Sequence, residues 1–366
     1  MTREETPAIW DQTPPPATAQ APEPALGDWL AAQLGTAGPF EIHPISGGNS
    51  NETALLRGQS GQWILRRPPT AAISATANDL GREFRVLSAL AGQHVPAPRA
   101  IAFAAPGEVT ERSCLLMQYC PGYPLTDQWP DGWPPAATIG EVGRAAIEAL
   151  AALHRVDFEA VGLGGFGRPA GYLERQVTRW RGQYQQHQVR ELPLFDQVGD
   201  WLEGNRPAQG TPAILHGDFH LDNCLISAGP PARVSAIIDW ELATIGDPLV
   251  DLGLLLGFWG ADRPRPVAME RVQALTRLPG APSRRALAGY YTALTGRSTD
   301  ALTFYMALAF FKLAAIVEGA YARYLGRDVD SPYARALGAD VPRLLRDAAH
   351  LAEAAWPPEP PDGRAV

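Results

Sequence analysis

The chain reads as an α+β protein of two unequal lobes: a small β-rich lobe with one helix, then a larger, mostly helical lobe. Three observations predict this. Strand-like segments crowd residues 40–119. Helical periodicity dominates from Ala136 onward. A length of 366 residues suits two lobes better than one core, and a hydrophobic share of 46% can fill both.

Taken in order, residues 1–25 form a Pro-rich tail predicted to be disordered, as is the closing PPEPPDGRAV at 357–366. The first lobe is assigned to 26–120 and the second to 121–356. Phe40–Ile45 is a short strand ending in SGGNSN. Thr53–Arg57 and Trp63–Arg66 flank GQSGQ as a hairpin. In NDLGREFRVLSALAGQ, Leu80, Phe84, Leu87 and Leu90 recur at helical spacing, with Asn78 or Asp79 as N-cap. Ile101–Ala104 and Cys114–Tyr119 complete five strands. Helices are predicted over 136–155, 172–188, 264–276, 283–296, 299–326 and 340–355. Two apolar runs, Ala213–Leu215 and Val234–Ile238, read as buried strands presenting polar clusters at their ends.

Charge narrows the function. The net charge of −8 argues against binding nucleic acid through phosphate contacts, though not against a small anion in a local pocket. Lys312 is the single lysine, so 30 of 31 basic residues are Arg and no GxxxxGK[ST] phosphate loop exists. Lys312 lies in FYMALAFFKLAAIV, which predicts a buried helix with a snorkelling or paired lysine. Three cysteines are too few and too scattered for a disulfide framework or a zinc site. The acidic MTREETPAIWDQ lacks the apolar stretch of a leader. No uncharged apolar run reaches the ~18 residues of a membrane span, so a cytoplasmic protein without membrane contact is expected.

The chemistry concentrates in ILHGDFHLDNCLI (214–226) and AIIDWE (236–241). Asp218, Asn223 and Asp239 are oxygen donors of the kind Mg²⁺ takes alongside phosphate oxygens. A metallophosphoesterase offers a rival reading, because Asp218-x-His220 mimics its metal pair. It lacks support, since neither GDxxD nor GNH[DE] follows.

HGDFHLDN resembles the H-[RG]-D-x-x-x-x-N catalytic loop of kinases, and Ile-Asp-Trp-Glu resembles their metal-binding element. Gly217 in place of Arg is the form of the aminoglycoside phosphotransferase family, and the resemblance spans roughly residues 40–355. It implies a protein-kinase-like fold and an ATP- and Mg²⁺-dependent transfer to a small-molecule hydroxyl. Asp218 would be catalytic and would orient that hydroxyl. Asn223 and Asp239 would hold Mg²⁺, and His216 would anchor the loop. Gly47, Gly48, Asn49, Ser50 and Asn51 would cover the nucleotide, although Gly-Gly-Asn is also ordinary hairpin chemistry. The family's phosphate-binding lysine is absent. Strand alternation places Arg66 there, with Arg67 as the alternative, and Glu83 as ion-pair partner. Met117, Gln118 and Cys120 would form the adenine-binding hinge. Asp247 and Asp251 of GDPLVDLG read as loop and helix-capping residues.

GYLERQVTRWRGQY, LRRPP, REFRVLSAL and MQYCPG resemble the subgroup related to the kinase-like domain fused to acyl-CoA dehydrogenases. That resemblance implies a hydroxyacyl substrate carried on CoA. Arg175, Arg179, Trp180 and His220 are the candidate substrate contacts, though the Arg-rich helix is equally a solvated face. Antibiotic, sugar and amino-alcohol acceptors stay open, as do GTP and the oligomeric state. A kinase-fold binding module without turnover is the non-enzyme alternative, favoured by the lost lysine and opposed by the retained Asp218, Asn223 and Asp239.

Overall fold

The computed structural model describes residues 20–45, 51–69, 79–130, 132–133, 135–227, 231–260, 269–326 and 332–353. The first lobe contains α1 (Pro24–Leu34), β1 (Glu41–Ile45), β2 (Glu52–Gly58), β3 (Gly61–Arg67), α2 (Leu80–Leu90), β4 (Ala100–Ala104) and β5 (Cys114–Gln118). Its antiparallel sheet runs β1-β2-β3-β5-β4. The β2–β3 hairpin closes where Gly58 pairs with Gly61 around a two-residue turn. Alternation along β5 sends Leu115 and Met117 to one face, and Cys114 and Leu116 to the other.

Each face has its own helix. Asp79 caps α2 by accepting the Arg82 N–H at 3.1 Å. Leu80, Leu87 and Leu90 of the predicted stripe are buried, Phe84 is half-buried, and Val86 is buried beside them. The opposite face carries α1, a second helix beyond the one counted from sequence. It starts at Pro24, inside the stretch assigned to the tail, and buries Leu26 and Leu30 against Leu56, Leu65 and Leu116. Gln20 extends the ordered chain by exchanging backbone hydrogen bonds with Ile42. Residues 1–19 and 354–366 lie outside the described residues.

The second lobe contains β6 (Tyr123–Pro124), α3 (Pro135–His154), α4 (Tyr172–His187), α5 (Pro193–Gly204), β7 (Ala213–Leu215), β8 (Cys224–Ile226), β9 (Val234–Ile237) and β10 (Thr244–Gly246). It continues through α6 (Leu249–Phe258), α7 (Arg284–Thr295), α8 (Leu302–Leu325) and α9 (Pro332–Glu353). The central α8 packs against α4, α5, α6 and α9. By length and apolarity α8 could cross a membrane, but 72% of its apolar window is buried inside the protein, as in a core helix. The sequence period failed to expose α6, because LVDLGLLLGF is apolar on every side. The helix predicted over 264–276 is corrected in its described part to turns and a short 3-10 segment, Ala274–Arg277. Gln273 adopts φ 49, and its side chain bonds the Leu255 carbonyl, which takes the backbone out of the helical region.

Two short sheets, β10-β7 and β6-β8-β9, carry the motif loops between the lobes. Arg82 on α2 reaches across this junction. Its guanidinium lies 4.2 Å from the Phe166 ring centroid and donates to the Phe166 and Ala243 carbonyls at 3.3 and 3.2 Å. An Arg82→Ala variant is expected to stay folded, losing about 0.5–2 kcal/mol from the cation–π contact. Its α2 amides should exchange hydrogen faster than in wild type, and unchanged α2 exchange would refute the role of this contact.

Candidate active site

The strand β7 delivers His216, Gly217 and Asp218 to the end of the second lobe. Asp251, buried on α6, accepts the backbone N–H groups of His216 at 2.7 Å and Gly217 at 2.9 Å. His216 meets the Ile238 carbonyl through Nε2 at 2.9 Å, tying the loop to the strand that carries Asp239. Gly217 has φ 85, and a Cβ there would sit 2.4 Å from the Leu242 carbonyl oxygen, so the position excludes any side chain. Asp247 accepts N–H groups from Gly210 and Leu249 and the Tyr305 hydroxyl, a loop-fixing role.

Asn223 turns its amide nitrogen back to the Asp218 carbonyl at 2.9 Å, which leaves its side-chain oxygen for another partner. Asp239 follows β9 with φ 67 and ψ 65, a left-handed conformation rare outside glycine. Such strain clusters at functional positions. Its carboxylate lies 3.1 Å from Arg66 Nη2.

Arg66 spans the lobes. Nη1 meets Glu83 Oε1 at 2.5 Å, and Nη2 also lies 3.9 Å from Glu241. Burial alone would lower the Arg66 pKa; Glu83 and then Asp239 more than offset it and hold the guanidinium above its ordinary range. Burial pushes the Glu83 carboxyl upward, while Arg66 and the Trp240 N–H pull it back. With a permanently charged guanidinium in contact, the two side chains form an ion pair. The alternative Arg67 belongs to the other face of β3.

These residues line a cleft of about 490 Å³. Of the sequence candidates it brings together Asn51, Arg66, Glu83, Met117, Gln118, Cys120, Asn223 and Asp239. Ile45, Ile64 and Leu225 add apolar walls. Asn51 is 3% exposed and donates to Glu241 Oε2 at 3.2 Å. Asn51 Oδ1 and Arg66 Nε are buried without a hydrogen-bond partner, and such atoms call for an explanation. Gly47, Gly48, Asn49 and Ser50 lie outside the described residues. Glu241 and Asp222 are site residues that sequence reasoning missed, although both stand inside the two motifs.

The proposed substrate contacts diverge. Trp180 is 6% exposed, bonded through its indole N–H to Gln176, and sits in the core. Arg175 is committed to the Arg168 and Ala170 carbonyls. Arg179 lies over the Trp180 ring at 4.8 Å. His220 lies within the HGDFHLDN loop, 3.4 Å from Asp218 Oδ2 and 3.8 Å from Asp222 Oδ1. Burial would lower the His220 pKa, but Asp218 and Asp222 push it up to about 10. Burial would raise the Asp218 carboxyl; His220, then Lys312 and His216, hold it far below the ordinary carboxylate range.

Known proteins share this architecture. Residues 41–290 match the model of the phosphotransferase enzyme family. Acyl-CoA dehydrogenase family member 10 of Mus musculus is 34% identical over 312 residues, covering 84% of this chain and 29% of the relative. The chain thus spans less than a third of that protein's length. A Ralstonia eutropha crystal structure provisionally described as an aminoglycoside phosphotransferase aligns with TM-score 0.78 and 30% identity, covering 91% of this chain and 99% of that one. An aminoglycoside phosphotransferase in ternary complex with ADP and hygromycin B shares the fold at TM-score 0.58 and 15% identity, covering 90% of this chain and 98% of its own.

Two measurements test the electrostatics. Arg66→Met leaves Glu83 buried without its cation and is expected to cost about 3–5 kcal/mol in urea unfolding. A loss below about 1 kcal/mol, the value of an exposed pair, would contradict the buried pair. His220, with its folded pKa raised, contributes stability that is complete below the ordinary histidine value and lost as pH rises through about 10. An imidazole NMR titration is expected to show no deprotonation of His220 between about pH 6 and 8.

Proposed function

The chain belongs to the phosphotransferase enzyme family, and on that premise we propose that it transfers the γ-phosphoryl group of ATP, with Mg²⁺, to a hydroxyl of a small molecule. One observation carries the reading. Asn223 and Asp239 reach from two loops into a cleft already holding the buried Arg66–Glu83 pair, and Asp218, outside that lining, is tied to Asn223 through its carbonyl at 2.9 Å. Phosphoryl transfer asks mainly for positioning and charge neutralisation, and these groups supply both.

The roles follow from chemistry and place. Met117, Gln118 and Cys120 border the base, while Arg66, fixed by Glu83, meets the phosphates with a charge that never titrates. The unpartnered Arg66 Nε and Asn51 Oδ1 are polar atoms a nucleotide and its solvent would satisfy. Asp239 and the Asn223 side-chain oxygen are hard donors suited to Mg²⁺ completed by phosphate oxygens and water. Among the described residues no cluster of three or more acidic, His or Cys side chains could hold a metal by itself, which fits a metal shared with phosphate. Bound there, Mg²⁺ supplies neutralisation of charge on the phosphate oxygens.

Asp218 orients the acceptor hydroxyl. The bond from the γ-phosphorus to its bridging oxygen breaks as the bond to the acceptor oxygen forms, and the hydroxyl proton passes to Asp218. A carboxyl held so far below its usual range is a weak base, so it takes the proton late and serves chiefly as an aligner.

For the acceptor we infer a hydroxyacyl group carried on CoA. Similarity to the acyl-CoA dehydrogenase family member supports it. The three cysteines, all free, suit a reducing cytoplasmic setting.

Melting temperature with Mg·ATP and Mg·GTP is the direct test. At 100 times its Kd a nucleotide stabilises the fold by about 2.7 kcal/mol. Wild type should show this shift only with Mg²⁺ present, and Asp239→Ala should lose it; no shift with either nucleotide would turn the reading toward a binding module of other purpose. Asp218→Asn should keep nucleotide binding and lose about 100-fold or more in transfer to a panel of hydroxyacyl-CoA thioesters. Equal rates in mutant and wild type would remove Asp218 from the chemistry.

A further inference from the structure

The only lysine in the chain is not spent on packing. Lys312 projects from α8 toward the HGD loop, 95 residues away in sequence, and its Nζ donates to the Gly217 carbonyl oxygen at 2.7 Å. Its Nζ also lies 5.7 Å from the centroid of Trp180. The same peptide segment is held from the opposite side by Asp251, which accepts the Gly217 N–H at 2.9 Å. Gly217 is thus gripped at both ends of one residue, the residue directly before Asp218.

Gly217 cannot carry a side chain of its own: it has φ 85 and the Leu242 carbonyl where a Cβ would go. The side-chain donor to its carbonyl comes from another element, α8. A compact ammonium suits a single carbonyl contact in a half-buried space, where a planar guanidinium demands several acceptors in fixed directions. That distinction fits a chain using Arg at 30 basic positions and Lys at this one.

We propose that Lys312 is a positioning residue for phosphoryl transfer: opposite the Asp251 grip on the Gly217 N–H, its Nζ pins the Gly217 carbonyl and so fixes the backbone that aims Asp218 at the acceptor. The inference rests on the phosphotransferase reading above. The charged groups facing Lys312 are Asp218 on the loop, Asp251 on α6 and Arg179 on α4. Burial lowers the Lys312 pKa, the two carboxylates oppose that, and Arg179 adds to it.

The test compares wild type with Lys312→Met, which keeps the apolar stem, and Lys312→Gln, which keeps a donor for Gly217 but removes the charge. The Gln variant carries the comparison if the Met variant fails to fold. Three readouts are taken: the melting shift with Mg·ATP, the kcat and KM of Mg·ATP turnover with water as acceptor, and hydrogen exchange of the Gly217 and Asp218 backbone amides. The Met variant should keep the Mg·ATP shift and KM within about twofold, lose about 10- to 100-fold in kcat and exchange those amides faster; the Gln variant should show the same changes to a smaller degree. Wild-type kcat together with unchanged amide exchange overturns the proposal. A fall in kcat matched by an equal loss of nucleotide binding also overturns it, since that is a packing defect. A wild type without turnover sinks the phosphotransferase reading instead, and the amide exchange still decides whether Lys312 holds the loop.

Discussion

The grip of the Asp251 carboxylate on the backbone of His216 and Gly217 is the constraint on which the site depends. Two N–H groups that would otherwise be buried without partners converge on one carboxylate that is itself 1% exposed. Losing either side leaves buried polar groups unpaired, so the arrangement holds a single loop geometry. Asp251 is braced in turn by His154 Nε2 at 3.4 Å, and His154 Nδ1 meets the Tyr291 hydroxyl at 2.8 Å. Helices α3, α6 and α7 thereby act together on the residue before Asp218, and the helical lobe serves as a mould for one short loop.

The other half of the site is made by opposite charges meeting across the lobes. Arg66 comes from a strand, Glu83 from the helix behind it, and Asp239 and Glu241 from the second lobe. Desolvating these groups is costly, and the cost is offset only when all are in place. The ion cluster therefore favours the arrangement in which α2 lies against the cleft. Arg82, one residue before Glu83, reinforces it from the outside through Phe166 and Ala243. Both contacts bind α2 to the second lobe.

The surroundings of Asp218 and Asp239 differ. His220 lies 3.4 Å from the Asp218 carboxylate, whereas Asp239 faces the cleft with one oxygen on the Arg66 guanidinium. On the proposed phosphotransfer reading, these neighbours would give two acids of the same type different tasks.

The sequence by itself determined what depends on local spacing. The strands of the first lobe, β7 and β9, and the HGDFHLDN and IDWE motifs were legible from periods of two and 3.6 and from short fixed intervals, while Arg66 in the place of a lysine came from strand alternation joined to the family resemblance. It left α6 unseen, because a helix buried all round has no period, and it predicted a helix over 264–276 where Gln273, bonded through its side chain to the Leu255 carbonyl, takes a left-handed backbone. Only the tertiary structure decided that Glu241 meets Asn51 across 190 residues, that Trp180 faces the core and Arg175 its own turn, and that the lone lysine reaches Gly217. The reason is physical: these contacts join side chains whose separation along the chain carries no period, and they are fixed by how whole helices and lobes pack.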